Sequence, residues 1–267
     1  GRLPIEVCGP MLGGKVVVDG SMSSQFVTGL LIALPLAERD TTIEVEGLVS
    51  TPYIDMTLET LERFGVEVMY HEGDYSEFYI EGGQEFKAID YTIESDWSAA
   101  ASIMVAAAIA GEVTINNIST LSRQADTAVC RALERAGASL IIEENSITVA
   151  HRPLEAFEFD ATQCPDLFPA LVALAAAAEG VSTITGIKRL RGKESDRGEA
   201  LRAEYEKLGI DIELDYDEDV MRVVGGEPKA AMVDAHDDHR IAMSLAITAL
   251  RVDEEVVIRG RESVAKS

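Results

Sequence analysis

Three short segments of this chain, Phe64-Gly65-Val66, Ala136-Gly137-Ala138 and Leu208-Gly209-Ile210, place glycines 72 residues apart twice over. A period of that length is the mark of one supersecondary unit laid down repeatedly. Each glycine ends an amphipathic pattern (Leu58, Leu61, Phe64; Val129, Leu133, Ala136; Leu201, Tyr205, Leu208), at the position where a helix closing on a left-handed residue favours glycine. A strand is expected after each glycine, and short alternating runs follow at 78–80, 147–149 and 221–224. Upstream lie helical stretches that are apolar nearly all round, at 25–37, 98–110, 166–178 and 240–250, and a helix without a polar face is a buried helix. A short strand comes after each, at 42–45, 113–115, 182–184 and 256–258. The unit therefore reads strand, buried helix, strand, amphipathic helix, strand, strand. This is an α/β plan in which the buried helices pack together as a core, with sheets outside.

The same register sets the expected organisation. Residues 3–7 resemble the closing strand of a unit whose earlier parts are absent, and the fourth unit stops before its amphipathic helix. Residues 1–93 are expected to form a partial lobe, the end of one unit plus a complete one. Residues 94–267 are expected to form a second lobe, two complete units plus a partial third. The chain reads as a fragment, and its first residue, Gly1, agrees. Two ordinary domains suit 267 residues.

Composition excludes several classes of partner. With 47% apolar and 26% charged residues the chain is a soluble globular protein. The longest uncharged stretch, 20–37, contains Ser, Thr, Gln and Pro and falls short of a bilayer span. No basic region followed by an apolar run marks a signal peptide. Cys8, Cys130 and Cys164 are odd in number, which favours a reducing cytoplasm over a disulfide framework. The net charge of −24 repels nucleic acid and anionic membrane.

Against that acidic background, Lys188, Arg189, Arg191, Lys193 and Arg197 gather five cations in ten residues. A solvated turn is the plain alternative. Polar residues also collect where each buried helix begins: Ser21, Ser23, Ser24 and Gln25; Asp96 and Ser98; Asp160, Thr162 and Asp166; Asp234, Asp238, His239 and Arg240. Capping explains one such residue per helix and not the rest. If the buried helices run parallel, their N-termini converge on one face and present free N–H donors with positive potential. Such a face suits phosphates, and a small polyanion more than a polymer.

Six motifs, Ser23-Ser24-Gln25, Pro52-Tyr53-Ile54-Asp55, Cys164-Pro165-Asp166, Lys193-Glu194-Ser195-Asp196-Arg197, Asp238-His239-Arg240 and Ala265-Lys266, resemble in order those of the EPSP synthase (3-phosphoshikimate 1-carboxyvinyltransferase) family. The resemblance covers the whole chain and implies the family's fold, an inside-out α/β barrel of repeated βαβαββ units in two lobes. It also implies that roughly the first third of a longer protein is missing, with its Gly-x-Lys-Ser type and Gly-Asn-x-Gly-Thr type loops, so the isolated chain is expected to be inactive. The implied reaction transfers the enolpyruvyl group of phosphoenolpyruvate to the 5-hydroxyl of shikimate 3-phosphate and releases phosphate, a step in aromatic amino acid biosynthesis. No metal or cofactor is implied. The partners are the two small substrates, and the expected form is a cytoplasmic monomer that binds neither nucleic acid nor membrane.

By motif position, Asp166 resembles the proton acceptor that also holds the shikimate hydroxyls, with an N-cap as its plain alternative. Glu194 resembles a second acid/base. Ser23, Ser24, Gln25, Ser50 and Lys193 carry over as shikimate 3-phosphate contacts, Arg189 with them although many members carry another residue there, and Tyr53 as a wall of that pocket. Arg197, Arg240 and Lys266 resemble phosphoenolpyruvate anchors, and Gln25 touches both substrates. His239 is expected to be structural beside Asp238, and Cys164 a packing residue. Two other readings stay open: a UDP-N-acetylglucosamine enolpyruvyl transferase, whose motifs have no match here, and a non-catalytic anion-binding module. RNA 3′-phosphate cyclases share a related unit, but the acidic charge makes RNA a poor partner.

Overall fold

The computed structural model describes residues 4–266, and chain packing separates them into two units, Gly1–Thr92 and Ile93–Ser267. The first holds one copy of the repeat: β1 (Gly14–Asp19), α1 (Gln25–Ala33), β2 (Thr41–Glu46), α2 (Thr51–Arg63), β3 (Val68–His71) and β4 (Asp74–Ile80). Its sheet runs in the order β1-β2-β4-β3, with β1 and β2 parallel and the other pairs antiparallel. A parallel pair needs a crossover, which α1 supplies. Val27, Leu31, Ile43, Ile54, Leu61, Phe78 and Ile80 form the core under that sheet.

The second unit opens with α3 (Trp97–Ala110), β5 (Glu112–Asn116), α4 (Val129–Arg135), β6 (Ser139–Ile142) and β7 (Ser146–Ala150). A further copy follows: β8 (Glu158–Asp160), α5 (Phe168–Ala177), β9 (Val181–Thr185), α6 (Arg197–Lys207), β10 (Ile212–Asp215) and β11 (Val220–Val224). The chain continues through β12 (Met232–Asp234), α7 (His239–Ala249) and β13 (Val257–Arg259) to a 3₁₀ turn at Arg261–Lys266. The parallel pairs β8/β9 and β12/β13 repeat the β1/β2 pairing.

α3, α5 and α7 pack side by side and point the same way. Their starts meet where Arg240 of α7 donates to Ser98 of α3 and approaches Asp166 just before α5. Their ends meet where Arg251 Nη1 donates to the Ala176 carbonyl at 3.2 Å, while His151 Nδ1 lies 2.7 Å from the Ala108 carbonyl. From Phe168 to Ala176 every residue of α5 is buried, as its all-apolar sequence requires. Among the described residues no helix is long and apolar enough to cross a membrane.

The period in the sequence is a period in hydrogen bonding. Gly65, Gly137 and Gly209 sit at φ of 77°, 83° and 79°. Each donates its N–H to the carbonyl three residues back, at Glu62, Glu134 and Glu206, and the next residue donates to Leu61, Leu133 or Tyr205. All three helices thus end in one Schellman closure.

Two expectations fail. Residues 4–7 lie outside any strand, Pro4 has no N–H to offer, and Ile5 and Val7 are exposed; residue 3 lies outside the described residues. The copy that opens the second unit has no leading strand among the described residues, so its sheet, β5-β7-β6, is antiparallel throughout. The chain before α3 is the connection between units, and its last residue, Asp96, caps α3 by accepting the Ser98 N–H at 2.8 Å.

Candidate functional site

The polar starts of α3, α5, α6 and α7 form one ion-pair network within the second unit, with Arg197 at its centre. Arg197 opens α6, whose first turn is capped by Asp196, and its side chain is 1% exposed. Its Nε donates to Asp238 Oδ2 at 2.8 Å, its Nη1 to Asp166 Oδ1 at 2.7 Å and its Nη2 to Glu194 Oε2 at 2.6 Å. One planar fork thereby fixes three carboxylates from three segments. Burial opposes the Arg197 charge, but the hydrogen bonds and charges of Asp238 and Asp166 outweigh it and raise the pKa. Arg197, expected as a phosphoenolpyruvate anchor, has its Nε, Nη1 and Nη2 each on a protein carboxylate.

Asp166 is the second node. Lys193 Nζ lies 3.2 Å from its Oδ1 and Arg240 Nη2 3.7 Å from its Oδ2. Burial would push its pKa up, but Arg240, Lys193 and Arg197 outweigh burial and hold the carboxyl at about 2. The capping alternative is settled by geometry: Leu167 occupies the cap position of α5, with no side-chain cap bond, and the Asp166 carboxylate faces the cations.

Asp238 is fully buried and serves three purposes. It accepts from Arg197, takes the Arg240 N–H at 3.0 Å as the cap of α7, and accepts the Ser195 hydroxyl at 3.1 Å. The preceding residues, His236 and Asp237, have φ of 51° and 55°, a left-handed pair without glycine. His239 Nδ1 lies 4.0 Å from Glu194 Oε1 and 3.8 Å from Asp238 Oδ1, without a hydrogen bond. Burial, then the Arg240 charge, lowers its pKa below the ordinary histidine value, and the ring lies beside Asp238.

The cation run divides by role. Lys193 and Arg197 join the network, and Arg189 feels the Asp166 charge while burial lowers its pKa. Arg191 instead lies 4.0 Å over the Tyr216 ring, a cation–π contact outside the network, and the Lys188 side chain is exposed. Lys266 is exposed, its Nζ 3.4 Å from the Asp237 carbonyl. Cys164 is buried, which pushes its thiol up to about 12 and removes it as a nucleophile.

Sequence reasoning missed Asp126. It is 2% exposed, its Oδ1 has no hydrogen-bond partner, and burial, with the Asp166 charge, pushes its pKa up to about 6 against the Ser98 hydrogen bond and Arg240. The available signal was one acidic residue in the apolar run Ala125-Asp126-Thr127-Ala128-Val129.

The remaining candidates belong to the first unit. Ser23, Ser24 and Gln25 open α1, where Ser23 Oγ accepts the Gln25 N–H at 3.2 Å and Ser24 is buried. Ser50 is buried at φ 56° immediately before α2 and accepts the Tyr53 N–H through its carbonyl at 3.1 Å. A hydroxyl bond at 3.3 Å between Thr28 and Thr57 ties the two helices together.

Comparison with known proteins gives a consistent answer. The family model for EPSP synthase (3-phosphoshikimate 1-carboxyvinyltransferase) matches residues 1–267. The 3-phosphoshikimate 1-carboxyvinyltransferase of Methanocella arvoryzae is 40% identical over 99% of this chain and 62% of its own length. That of Clostridium perfringens is 41% identical over 100% of this chain and 62% of its own. The solved EPSP synthase of Acinetobacter baumannii superposes with a TM-score of 0.76 at 28% identity, covering 96% of this chain and 60% of that one. The chain therefore spans about three fifths of the proteins it matches.

Proposed function

We propose that this chain, which belongs to the EPSP synthase family, carries catalytic residues for moving the enolpyruvyl group of phosphoenolpyruvate to the 5-hydroxyl of shikimate 3-phosphate, with release of phosphate. The observation that carries this reading is the meeting of Asp166, Lys193, Glu194, Arg197 and Arg240 in one network, although 74 positions separate the first from the last. A passive anion-binding module needs cations; it has no use for two carboxylates held against them.

The chemistry follows from the charges. Addition of a hydroxyl across the vinyl bond needs a base at the hydroxyl, an acid at the methylene, and cations on phosphate and carboxylate. Asp166 is ionised at neutral pH and accepts the hydroxyl proton; Glu194, exposed at the network's edge, serves as the second acid/base. With its carboxyl held near 2, Asp166 is a weak base until a substrate anion draws Arg240 and Lys193 away and its pKa rises. Arg240 and Lys266 are the cations with surface left to receive phosphoenolpyruvate, Lys193 stays with shikimate 3-phosphate, and Arg197 acts through the carboxylates it orients. In the first unit, Ser23, Ser24, Gln25 and Ser50 stand at helix starts suited to the phosphate of shikimate 3-phosphate. The net charge of −24 supports small anionic substrates over nucleic acid or anionic membrane, and a cytoplasmic monomer belongs to the same reading.

Calorimetric titration of the chain with shikimate 3-phosphate, phosphoenolpyruvate and UDP-N-acetylglucosamine tests it. Heat with the first two, lost in Asp166→Asn and Arg240→Ala, is expected. Heat with the nucleotide sugar alone would overturn the reading.

A further inference from the structure

The network rests on a second grip that none of the motifs contains. α6 begins with Arg197 and, two turns further along the same face, carries Glu204, whose side chain is 1% exposed. Glu204 Oε2 accepts the Asp234 N–H at 2.9 Å, its Oε1 lies 2.8 Å from His236 Nε2, and Lys207 Nζ reaches both oxygens at 2.8 and 2.7 Å. Burial works against its charge, and the Lys207, His236 and Asp234 hydrogen bonds more than offset it. Asp234 precedes and His236 opens the left-handed turn that delivers Asp238, caps α7 at Arg240 and receives Lys266 on the Asp237 carbonyl. The turn is thus held along one helix face: Arg197 grips its end at Asp238, and Glu204 grips its beginning.

We propose that Glu204 is a positioning residue for the phosphoenolpyruvate half of the site, acting through His236 and the Asp234 amide to hold the turn that places Arg240 and Lys266. The proposal rests on the functional reading above, and it separates the substrates. The turn leads directly into Arg240, and its Asp237 carbonyl meets Lys266 of the 3₁₀ turn at Arg261–Lys266, whereas Lys193 lies before α6 and the first-unit residues lie elsewhere in the chain. Loosening it weakens phosphoenolpyruvate binding and spares shikimate 3-phosphate.

The test compares Glu204→Gln with Glu206→Gln, an exposed neighbour on the same helix, in the full chain. Glu204→Gln is expected to weaken phosphoenolpyruvate binding about tenfold, the scale of a lost charge-assisted contact, while shikimate 3-phosphate affinity stays within about twofold. Amide exchange of 236–240 is expected to accelerate about tenfold, with 168–176 unchanged, because opening a local segment exposes its amides alone. Glu206→Gln is expected to match the unmodified chain in both. Unchanged affinity and unchanged exchange in a folded Glu204→Gln protein overturn the proposal, as does an equal loss of both substrates. If the unmodified chain binds no phosphoenolpyruvate, the functional reading falls and the exchange arm alone decides the role of Glu204. If Glu204→Gln does not fold, His236→Gln at the half-exposed end decides: about threefold effects of the same pattern support the proposal, and none refutes it.

Discussion

α1 and α5 occupy the same place in the repeat and meet opposite surroundings. In α5, Phe168 to Ala176 are buried without a break; in α1 only Val27 and Leu31 are, while Phe26 and Ile32 are 59% and 48% exposed. α1 carries Gln25 and Thr28 where α5 is apolar throughout, but the exposure of Phe26 and Ile32 reflects company as well: α5 sits between α3 and α7, whereas the described residues of the first unit hold a single copy. An apolar helix in this plan is a request for like helices, which one copy of the repeat does not supply. The polar chemistry follows the same rule. Where three helix starts meet, four carboxylates and several cations interlock; at the start of α1 stand serines and a glutamine.

Removing the hub gives the largest effect on this comparison. Arg197→Ala leaves the fully buried Asp238 without its cation and Asp166 with only Lys193 and Arg240, and is expected to cost about 3–5 kcal/mol in denaturant unfolding, with phosphoenolpyruvate binding lost. Lys15→Ala, which breaks the exposed Lys15–Glu44 pair of the first unit, is expected to change nothing measurable. A calorimetric melt shows whether the two units respond separately.

The second contrast is packing. Phe168→Ala is expected to cost about 3–5 kcal/mol, whereas Phe26→Ala, at its exposed counterpart, is expected to stay within about 1 kcal/mol. Equal costs would mean that α1 is as enclosed as α5.

A third distinction, within the second unit, is pH dependence. Asp126 has a folded pKa of about 6, above its unfolded value, so the native state binds the extra proton and stability falls as pH rises from about 4 to about 6, by about 3 kcal/mol in all. Asp166, held at about 2, runs the other way: its contribution of about 2 kcal/mol is present above pH 4 and disappears as pH falls toward 2. Asp126→Asn is therefore expected to raise the melting temperature at pH 7 and to lose that advantage below pH 4; a gain that persists at pH 4 would refute the assignment.

The smallest effect tests what the units share. Gly→Ala at 65, 137 and 209 forces a side chain into the left-handed region at all three helix ends and is expected to cost about 1–2 kcal/mol at each. A spread much wider than that would show that the three closures are alike in geometry only.

Much of the fold was legible because its signals are local. A glycine after an amphipathic stretch means a left-handed closure wherever it stands, and Gly65, Gly137 and Gly209 obey. The supposed strand at 3–7 failed because pairing needs a neighbour, and residues 4–7 find none among the described residues. The network was half legible. Motif order pointed to Asp166, Glu194 and Arg240, but whether Arg197 faces a ligand or three carboxylates is decided by how α5, α6 and α7 come together, which no motif states. Asp126 and Glu204 escaped for the same reason: each is one ordinary acidic residue until folding buries it against partners more than 25 positions away.

Three helices aligned head to head set their dipoles in mutual repulsion, positive poles together at one end and negative poles together at the other. Asp166 and Asp238 soothe the first crowd, and Arg251 and His151, reaching the last carbonyls, soothe the second. The far pole is thus a counterweight to the one that holds Asp166 and Arg240. Removing the Arg251 charge leaves the last carbonyls of the bundle without their cation, at the end opposite Arg240.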